Sequence, residues 1–233
     1  MTSKVCVVTG VGPGTGKAIA QKFAAEGYQV AMIARNGERL DAIAAETANT
    51  HGFVCNVADF DALDQTLAEI TRTLGPPSVL IHNAVRGTRG TFLEVEPEQL
   101  EKNFRINTLS LHHMARALAP AMIDAGEGAI IATGNTAAYR GKDFFAAFAP
   151  TKAAQRILLE SMARTAGPKG VHVGYVAIDA VIDVPWTREA FVGRPDEFFS
   201  DPADIASEIY HMAHQPKSAW TFETVIRPFG ESW

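Results

Sequence analysis

The sequence has little cysteine and no long apolar run. Its 233 residues include 2 cysteines, Cys6 and Cys55, which both lie in short apolar stretches. This spacing fits neither a zinc site nor a disulfide framework, so we expect buried free thiols in a reducing compartment. The apolar run at residues 5–8 is too short for the core of a signal peptide, and nowhere do about 18 apolar residues follow one another. We therefore expect a cytoplasmic protein with no membrane association.

The sequence also lacks an excess of positive charge. Its 21 lysines and arginines stand against 26 aspartates and glutamates, and the net charge is -5. A basic surface for a polyanion is therefore not expected, which argues against nucleic acid as a partner. Linkers, internal repeats and low-complexity segments are also missing. With 47% hydrophobic residues, the length suits a single domain over residues 1–233.

Short apolar runs alternate with longer segments in which apolar residues recur every three or four positions, as in parallel strands joined by crossover helices. The predicted strands are residues 4–9, 29–34, 51–56, 78–82, 128–133, 171–178 and 223–227. The predicted helices are residues 16–26, 37–48, 60–74, 97–123, 148–166 and 202–214. Six of the seven strands have the continuous apolar character of internal strands. The pattern predicts an α/β fold with one doubly wound parallel sheet of the Rossmann type and helices on both faces.

A glycine-rich segment, TGVGPGTG at residues 9–16, joins the first predicted strand to the first helix. Glycine lets the backbone turn sharply and approach a pyrophosphate without a Cβ, while the helix N-terminus directs free amides at the anion. A P-loop is excluded, because Val11 stands where its first glycine is needed and Lys17 is followed by Ala18. The segment predicts a dinucleotide site, with an ordinary βα turn as the alternative. The residues expected to contact the cofactor are Gly10, Gly14, Thr15 and Gly16.

The spacing of this segment, Thr-Gly-x-x-x-Gly-x-Gly, resembles the short-chain dehydrogenase/reductase superfamily, and the likeness continues along nearly the whole chain. His82-Asn83-Ala84 is similar to the superfamily's Asn-Asn-Ala-Gly strand end, with His82 and Val85 as departures. The resemblance places Asn83 and Ala84 beside the cofactor. It implies a Rossmann-type oxidoreductase that uses NAD(P) and acts on a small molecule.

Further along the chain, the resemblance places Asn107 and Lys152 at the superfamily's active-site Asn and Lys. The sixth strand normally leads into a Pro-Gly pair beneath the nicotinamide, and here those two positions are Ile178 and Asp179. The nicotinamide pocket is therefore expected to be altered, with Val181 as a further cofactor contact.

Two of the four residues that the superfamily uses for catalysis are replaced. In the superfamily a Tyr passes the proton, a Lys lowers the pKa of that Tyr, a Ser positions the carbonyl and an Asn steadies a water. Counting back from Lys152, Phe148 stands at the Tyr position and Asn135 at the Ser position. Phenylalanine cannot transfer a proton, and loss of a positioned acid lowers the rate on the order of 100- to 10,000-fold. The tail, residues 218–222 and 227–229, is similar to an atypical subgroup that carries Phe in place of Tyr.

The remaining catalytic candidates leave alternatives open. Asn135 either orients a substrate oxygen through its amide or is a turn residue after a strand. Lys152 either holds the nicotinamide ribose hydroxyls or faces solvent on its helix. Tyr139 is a candidate proton donor, with a packing residue as the alternative. The adjacent His112 and His113 face different directions on a helix, so no metal site is predicted.

The end of the second predicted strand indicates which dinucleotide binds. An NAD enzyme needs a carboxylate there for the ribose 2′-hydroxyl, whereas the 2′-phosphate of NADP needs a cation. Ala34 stands at the carboxylate position and Arg35 follows it, which favours NADP(H) over NAD(H). No basic residue precedes Gly14, so NAD(H) stays the alternative. The resemblance places Asn56 near the amino group of the adenine, and Val57 is a further expected cofactor contact.

Aromatic side chains are concentrated near the predicted nicotinamide position. Phe144, Phe145 and Phe148 lie in one short stretch, and residues 183–200 contain further aromatics. In the superfamily this later segment covers the substrate, so we expect an apolar pocket under a substrate loop. An aromatic core or a subunit interface is the alternative.

The chain is expected to form a homodimer or homotetramer. Residues 229–233 end in Trp233, an apolar side chain that a subunit contact would cover. The helices with Asn107 and Lys152 resemble those that pair across subunits in the superfamily.

Three functional hypotheses remain. The first is an NADP(H)-dependent oxidoreductase that acts on an apolar small molecule without the usual Tyr acid. The second is a catalytically silent nucleotide-binding sensor or partner subunit, and the third is a lyase or isomerase that uses the pocket without redox chemistry.

Overall fold

The backbone forms a parallel sheet with helices on both of its faces. The computed structural model describes residues 4–230. Within this range the strands, in chain order, are β1 (Val5–Thr9), β2 (Gln29–Ala34), β3 (Thr50–Val54), β4 (Pro77–His82), β5 (Gly128–Gly134), β6 (Val171–Ile178), β7 (Val181–Ile182), β8 (Phe199–Ser200) and β9 (Glu223–Ile226). The helices are α1 (Thr15–Ala25), α2 (Gly37–Glu46), α3 (Phe60–Leu74), α4 (Pro97–Phe104), α5 (Ser110–Ala125), α6 (Ala149–Ala166), α7 (Pro185–Ala190) and α8 (Pro202–Ala213). No helix of this range is long and apolar enough to span a lipid bilayer.

Seven strands form the main sheet, in the order β3-β2-β1-β4-β5-β6-β9, and every neighbouring pair is parallel. The two short strands β7 and β8 pair with each other instead. The direction of the connections reverses at β1, which lies between β2 and β4. Parallel sheets bind ligands at such a reversal, outside the carboxyl ends of the strands. The predicted Rossmann-type sheet is confirmed.

Five strands of this sheet are internal, because β3 and β9 lie at its two edges. The prediction of six internal strands is therefore wrong. In β3 only Thr50 is buried, and the residues after it alternate between partly and fully exposed, with Val54 at its end 65% exposed. An edge strand has a neighbour on one side only, so an apolar residue in it can face solvent.

Each face of the sheet has its own hydrophobic core, because successive residues of a strand point to opposite sides. In β1, Val5 and Val7 pack on the side of α3, α5 and α6, whereas Cys6 and Val8 pack on the side of α1, α2 and α8. Burial of these apolar side chains on both faces is the main stabilising term for the fold. Cys6 and Cys55 are both buried free thiols, as predicted.

The long helix predicted over residues 97–123 is interrupted. Between α4 and α5, the segment Arg105–Leu109 forms a π-helical turn. Such a turn contains one extra residue, which changes the side chains that face inward, and it occurs frequently at functional sites. Here it brings Asn107 and Thr108 to the inside, where both are buried.

The segment at residues 183–200, predicted as a substrate loop, has regular structure. It contains α7, a 3₁₀ turn at Asp196–Phe198 and β8. Arg188 joins its two ends, since the guanidinium bonds both Asp183 and Asp196 at 2.6 Å and lies 4.0 Å from the ring centre of Phe199. The segment is therefore a structured region held by its own contacts, and its role as a substrate loop stays a prediction.

Candidate active site

The glycine-rich turn fits closely against the end of β4. Gly10 has a φ of +67°, which favours glycine, and a Cβ at this position would lie 2.5 Å from the Cα of Ala84. A Cβ on Gly16 would lie 2.5 Å from the carbonyl oxygen of Gly10. At Gly12, by contrast, nothing lies within 4 Å of an added Cβ. The turn is thus packed on its inner side and open on the side where a ligand would approach.

The first turn of α1 has unsatisfied donors that suit an anion. Its N-cap residue, Gly14, provides no side-chain cap, so the first amides lack that partner. The hydroxyl of Thr15 is buried and has no hydrogen-bond partner among the described residues. These groups fit the pyrophosphate of a dinucleotide.

The segment at residues 183–200 reaches this turn. A Cβ on Gly14 would lie 2.8 Å from Cγ1 of Val184. Val181, a predicted cofactor contact, lies in β7 just before that residue and is half-buried. The structure therefore brings the chain segment that contains Val181 next to the glycine-rich turn, although the two are far apart in the sequence.

A cleft of about 670 Å³ lies between the glycine-rich turn and the ends of β2 and β4. This volume is in the range of ligand sites in proteins. Three arginines line the cleft, Arg35, Arg39 and Arg86, and none of the described residues that line it is an aspartate or glutamate. The cleft is therefore electropositive, although the whole chain has a net negative charge.

Two of these arginines were not identified from the sequence. Arg39 lies in the first turn of α2, where its amide donates to the N-cap side chain of Asn36 at 2.8 Å, and Arg35 directly precedes that N-cap residue. The position of Arg39 in the first turn of the helix after β2 is the signal that would have found it. Arg86 bonds Gln99 through Nη2 at 2.9 Å, and its Nε is buried without a partner in the described chain.

The far side of the cleft is formed by the residues after β3. Asn56, predicted near the adenine, and Val57, predicted as a cofactor contact, both line the cleft. The side-chain oxygen of Asn56 accepts from the amide of Ala58 at 3.2 Å, which fixes this turn. Val57 is buried and offers an apolar surface.

Asn83 connects three strands at the reversal point of the sheet. Its Nδ2 donates to the carbonyl of Gly10 at 3.0 Å, and its Oδ1 accepts from the hydroxyl of Thr133 at 3.0 Å. The amides of Asn83 and Ala84 both donate to the hydroxyl oxygen of Thr9, at 3.2 and 3.1 Å. These bonds hold the ends of β1, β4 and β5 in fixed relative positions below the cleft.

The side chain of Asn107 is fully engaged in the protein interior. Its Oδ1 accepts from the amide of Arg86 at 2.8 Å. Its Nδ2 donates to the carbonyl of Arg86 at 2.9 Å and to the hydroxyl of Thr151 at 2.8 Å. The amide therefore joins the segment after β4 to the start of α6.

The ammonium group of Lys152 points into the protein. It donates to the carbonyl of Thr133 at 3.0 Å and to Oε1 of Gln155 at 2.5 Å. The residue is 2% exposed, and burial lowers the pKa of Lys152 to about 7. Lys152 does not face solvent, and its predicted contact with the nicotinamide ribose stays a prediction.

Gln155 and His82 extend this buried polar network. Nε2 of Gln155 donates to the carbonyl of Asn107 at 2.7 Å and to Nδ1 of His82 at 3.2 Å. Nε2 of His82 lies 2.9 Å from the hydroxyl of Ser110. Burial lowers the pKa of His82 to about 3, so its imidazole is neutral. Sequence reasoning noted His82 only as a departure and missed Gln155.

Asn135 and Phe148 line a narrow cleft of about 170 Å³ at the carboxyl end of β5. The side chain of Asn135 accepts from the amide of Ala137 at 3.1 Å, as a turn residue does, and its own amide donates to the hydroxyl of Tyr175 at 3.2 Å. Phe148 is 9% exposed and packs edge-on against Phe145. The structure brings the two altered catalytic positions together.

The side chain of Tyr139 contacts charged residues of β9 and α6. Its hydroxyl donates to the carboxylate of Glu223, and the guanidinium of Arg156 lies 5.5 Å from its ring centre. Burial, together with the bond to Glu223, raises the pKa of the Tyr139 phenol. A phenol with a raised pKa that already donates to a carboxylate is poorly placed to protonate a substrate.

The two adjacent histidines have separate surroundings. His113 lies 2.7 Å from the carboxylate of Asp64 and stacks on Phe60, whereas His112 is exposed. Between residues 4 and 230 no group of three or more His, Cys, Asp and Glu side chains is placed to hold a metal ion.

The chain is similar to known oxidoreductases. The pattern of the family described as short chain dehydrogenase matches residues 4–190. Rat 3-oxoacyl-(acyl-carrier-protein) reductase is 32% identical over 175 residues, which cover 75% of this chain and 74% of that protein. The 2,3-dihydro-2,3-dihydroxybenzoate dehydrogenase of Bacillus subtilis (strain 168) is 30% identical over 155 residues, or 65% of this chain and 59% of that protein.

The fold is also that of solved structures. A metagenomic short-chain oxidoreductase in complex with NADP superposes with a TM-score of 0.85 and 27% identity, over 98% of both chains. The matched span of residues 4–190 includes the glycine-rich turn, the arginine-lined cleft and the altered catalytic positions. The chain therefore belongs to the short chain dehydrogenase family of oxidoreductases.

Proposed function

We propose that the protein is an NADP(H)-dependent oxidoreductase that acts on a small, apolar molecule without a tyrosine acid. The observation that carries this proposal is the cleft with three arginines and no lining carboxylate. A 2′-phosphate beside Arg35 and Arg39 would find two planar donor groups, whereas a carboxylate for a free 2′-hydroxyl is missing there. The structural neighbour in complex with NADP supports the same cofactor.

In this proposal the first turn of α1 and the residues that line the two clefts each have one task. The first turn of α1, with Thr15, holds the pyrophosphate, and Asn56 and Val57 hold the adenine. A bound NADPH supplies a hydride. The walls formed by Phe145 and Phe148 exclude water from the substrate, and the amide of Asn135 orients a polar substrate atom. Because position 148 has no phenol, the proton that a carbonyl or an enone needs after hydride transfer comes from solvent, whereas an iminium substrate needs none.

Calorimetric titration with NADPH and NADH tests the cofactor assignment. We expect micromolar binding of NADPH and affinity for NADH at least about tenfold weaker, because a hydrogen bond to a charged group contributes about 1.5 to 3 kcal/mol. The double variant Arg35→Met/Arg39→Met is expected to bind both nucleotides equally. Arg72→Met, an exposed arginine in the last turn of α3, is the control and keeps the preference. Equal affinities in the native protein would contradict the NADP(H) assignment.

A substrate screen tests the oxidoreductase activity itself. NADPH oxidation is followed with aldehydes, ketones, imines and activated alkenes that have apolar substituents. We expect turnover with at least one imine or activated alkene. Failure of every class to oxidise bound NADPH would remove the proposal.

A catalytically silent nucleotide-binding protein is the second candidate. The interior engagement of Asn107 and Lys152 favours it, because both side chains use their hydrogen-bonding groups inside the protein. A measurable turnover number for the unmodified protein would exclude this candidate.

We also propose that residues 1–233 act as one cytoplasmic domain that assembles into a homo-oligomer. Leu109 and Ile157, on the neighbouring π-turn and α6, are 45% and 58% exposed. The predicted contact through Trp233 lies outside the described residues. Sedimentation velocity is expected to show a dimer or tetramer, and Leu109→Glu/Ile157→Glu is expected to shift it towards the monomer. An unchanged sedimentation coefficient in this variant would place the contact elsewhere.

A further inference from the structure

We propose that Gln155 is a positioning residue that holds Lys152 turned into the protein and links it to Asn107. In this arrangement the lysine stabilises the site from inside and does not contact a bound cofactor. The expected effect on cofactor binding rests on the proposed NADP(H) function. The hydrogen bonds of Lys152 and Gln155 do not depend on any ligand.

The first argument is the position of Gln155 on α6. Lys152 and Gln155 are three residues apart, so their side chains lie on one face of the helix. That face packs on the sheet, where the carbonyl of Thr133 in β5 accepts the second bond of the ammonium. The amide of Gln155 thus lies between the ammonium of Lys152 and the carbonyl of Asn107, at 2.5 and 2.7 Å.

The second argument is that the directions of the hydrogen bonds are consistent through the whole network. The ammonium can only donate, so Gln155 faces it with Oε1 and presents Nε2 to the Asn107 carbonyl and to His82. His82 then accepts at Nδ1 and has its proton on Nε2, towards Ser110. The hydroxyl of Ser110 donates onward to the carbonyl of Ile106 at 2.6 Å.

The third argument is the penalty for releasing the lysine. Gln155 and Lys152 are both buried, so outward rotation of Lys152 would leave Oε1 of Gln155 and the Thr133 carbonyl without these donors. Buried acceptors without a donor are strongly disfavoured. A cofactor would have to supply at least as much binding energy as the network loses.

The arrangement explains how the substitution at position 148 fits the rest of the site. Phe148 is the N-cap residue of α6 and lies one helical turn before Lys152, whose amide donates to its carbonyl at 3.2 Å. An ammonium that donates to Gln155 and Thr133 has one N–H group left for another acceptor, such as a phenol at position 148. The side chain of Phe148 provides no such acceptor, so the described acceptors of the ammonium are those of Gln155 and Thr133.

A double-mutant cycle on NADPH binding tests the inference. The variants are Lys152→Met, Gln155→Met and the double variant, with the exposed Gln65→Met as control. In the native background, Lys152→Met is expected to change the Kd less than about twofold. In the Gln155→Met background the freed ammonium reaches the cofactor, so the same substitution is expected to weaken binding about tenfold. A tenfold loss in the native background, or equal effects in both backgrounds, would overturn the inference.

A second measurement needs no cofactor, so it separates failure of the proposed function from failure of this inference. In Gln155→Glu a carboxylate replaces the amide beside the ammonium, which keeps Lys152 protonated to higher pH. His82 of β4 faces Lys152 across Gln155 and is neutral in the native protein. The stability gain of the native protein between pH 7 and 9 is expected to disappear in Gln155→Glu. An identical pH dependence in both proteins would show that residue 155 does not face the ammonium.

Discussion

Replacing Gly134 with alanine is expected to lower the free energy of unfolding by about 3 kcal/mol. Gly134 ends β5, and the ring of Tyr175 in β6 occupies the space where a Cβ would lie. The ring cannot move aside freely, because Tyr175 is fully buried and its hydroxyl accepts from the amide of Asn135. Urea unfolding at pH 7 measures the loss.

Two further variants identify the cause of this loss. In Gly134→Ala/Tyr175→Leu the smaller side chain gives room for the added methyl group, so the two effects are expected to be non-additive. Gly141→Ala is the control, because the φ of Gly141 lies outside the left-handed region and no described atom lies within 4 Å of an added Cβ. A loss under about 1 kcal/mol in Gly134→Ala would mean that the β5–β6 contact is less tightly packed than described.

Lys152→Met is expected to abolish a rise of about 2 kcal/mol in stability between pH 7 and 9. Burial lowers the pKa of Lys152 to about 7 in the folded protein, whereas an unfolded lysine titrates near about 10.4. Between these values the unfolded chain binds more protons than the folded one, so the native protein becomes more stable as pH rises. Methionine cannot titrate, and the variant lacks this contribution.

The comparison is made as a difference between the two proteins at pH 7, 8 and 9. Burial raises the pKa of the Cys6 thiol, which makes stability fall as the unfolded thiol ionises, but this effect is common to both proteins and cancels. Lys169→Met, at an exposed lysine, is the control and is expected to keep the native pH dependence. Parallel curves for the native protein and Lys152→Met would contradict the buried position of the ammonium.

The parts of the fold that follow from local chemistry were predicted from the sequence. Buried parallel strands are recognised as apolar runs. The glycines of the glycine-rich turn are explained at Gly10 and Gly16, where a side chain does not fit. Arg35 was found because it directly follows a strand end. These features depend on residues that are close together in the chain.

The parts that were missed depend on contacts between distant segments. The edge position of β3 is set by the sheet order, which its own apolar residues do not reveal. The π-turn at Arg105–Leu109 depends on what Asn107 contacts in α6 and after β4. Gln155 lies at an ordinary helical spacing, and only the approach of β4 and of the π-turn makes its amide the centre of a network.

The two buried cysteines make local and global opening of the native protein distinguishable by chemical labelling. Cys6 is in β1, between β2 and β4, so a thiol reagent reaches it only when the middle of the sheet separates. Cys55 directly follows the edge strand β3, so a small displacement of the carboxyl end of β3 is sufficient to expose its thiol. Local openings require less free energy than global ones. Alkylation of the native protein therefore reports local opening through Cys55 and global opening through Cys6. We expect Cys55 to react at the faster rate.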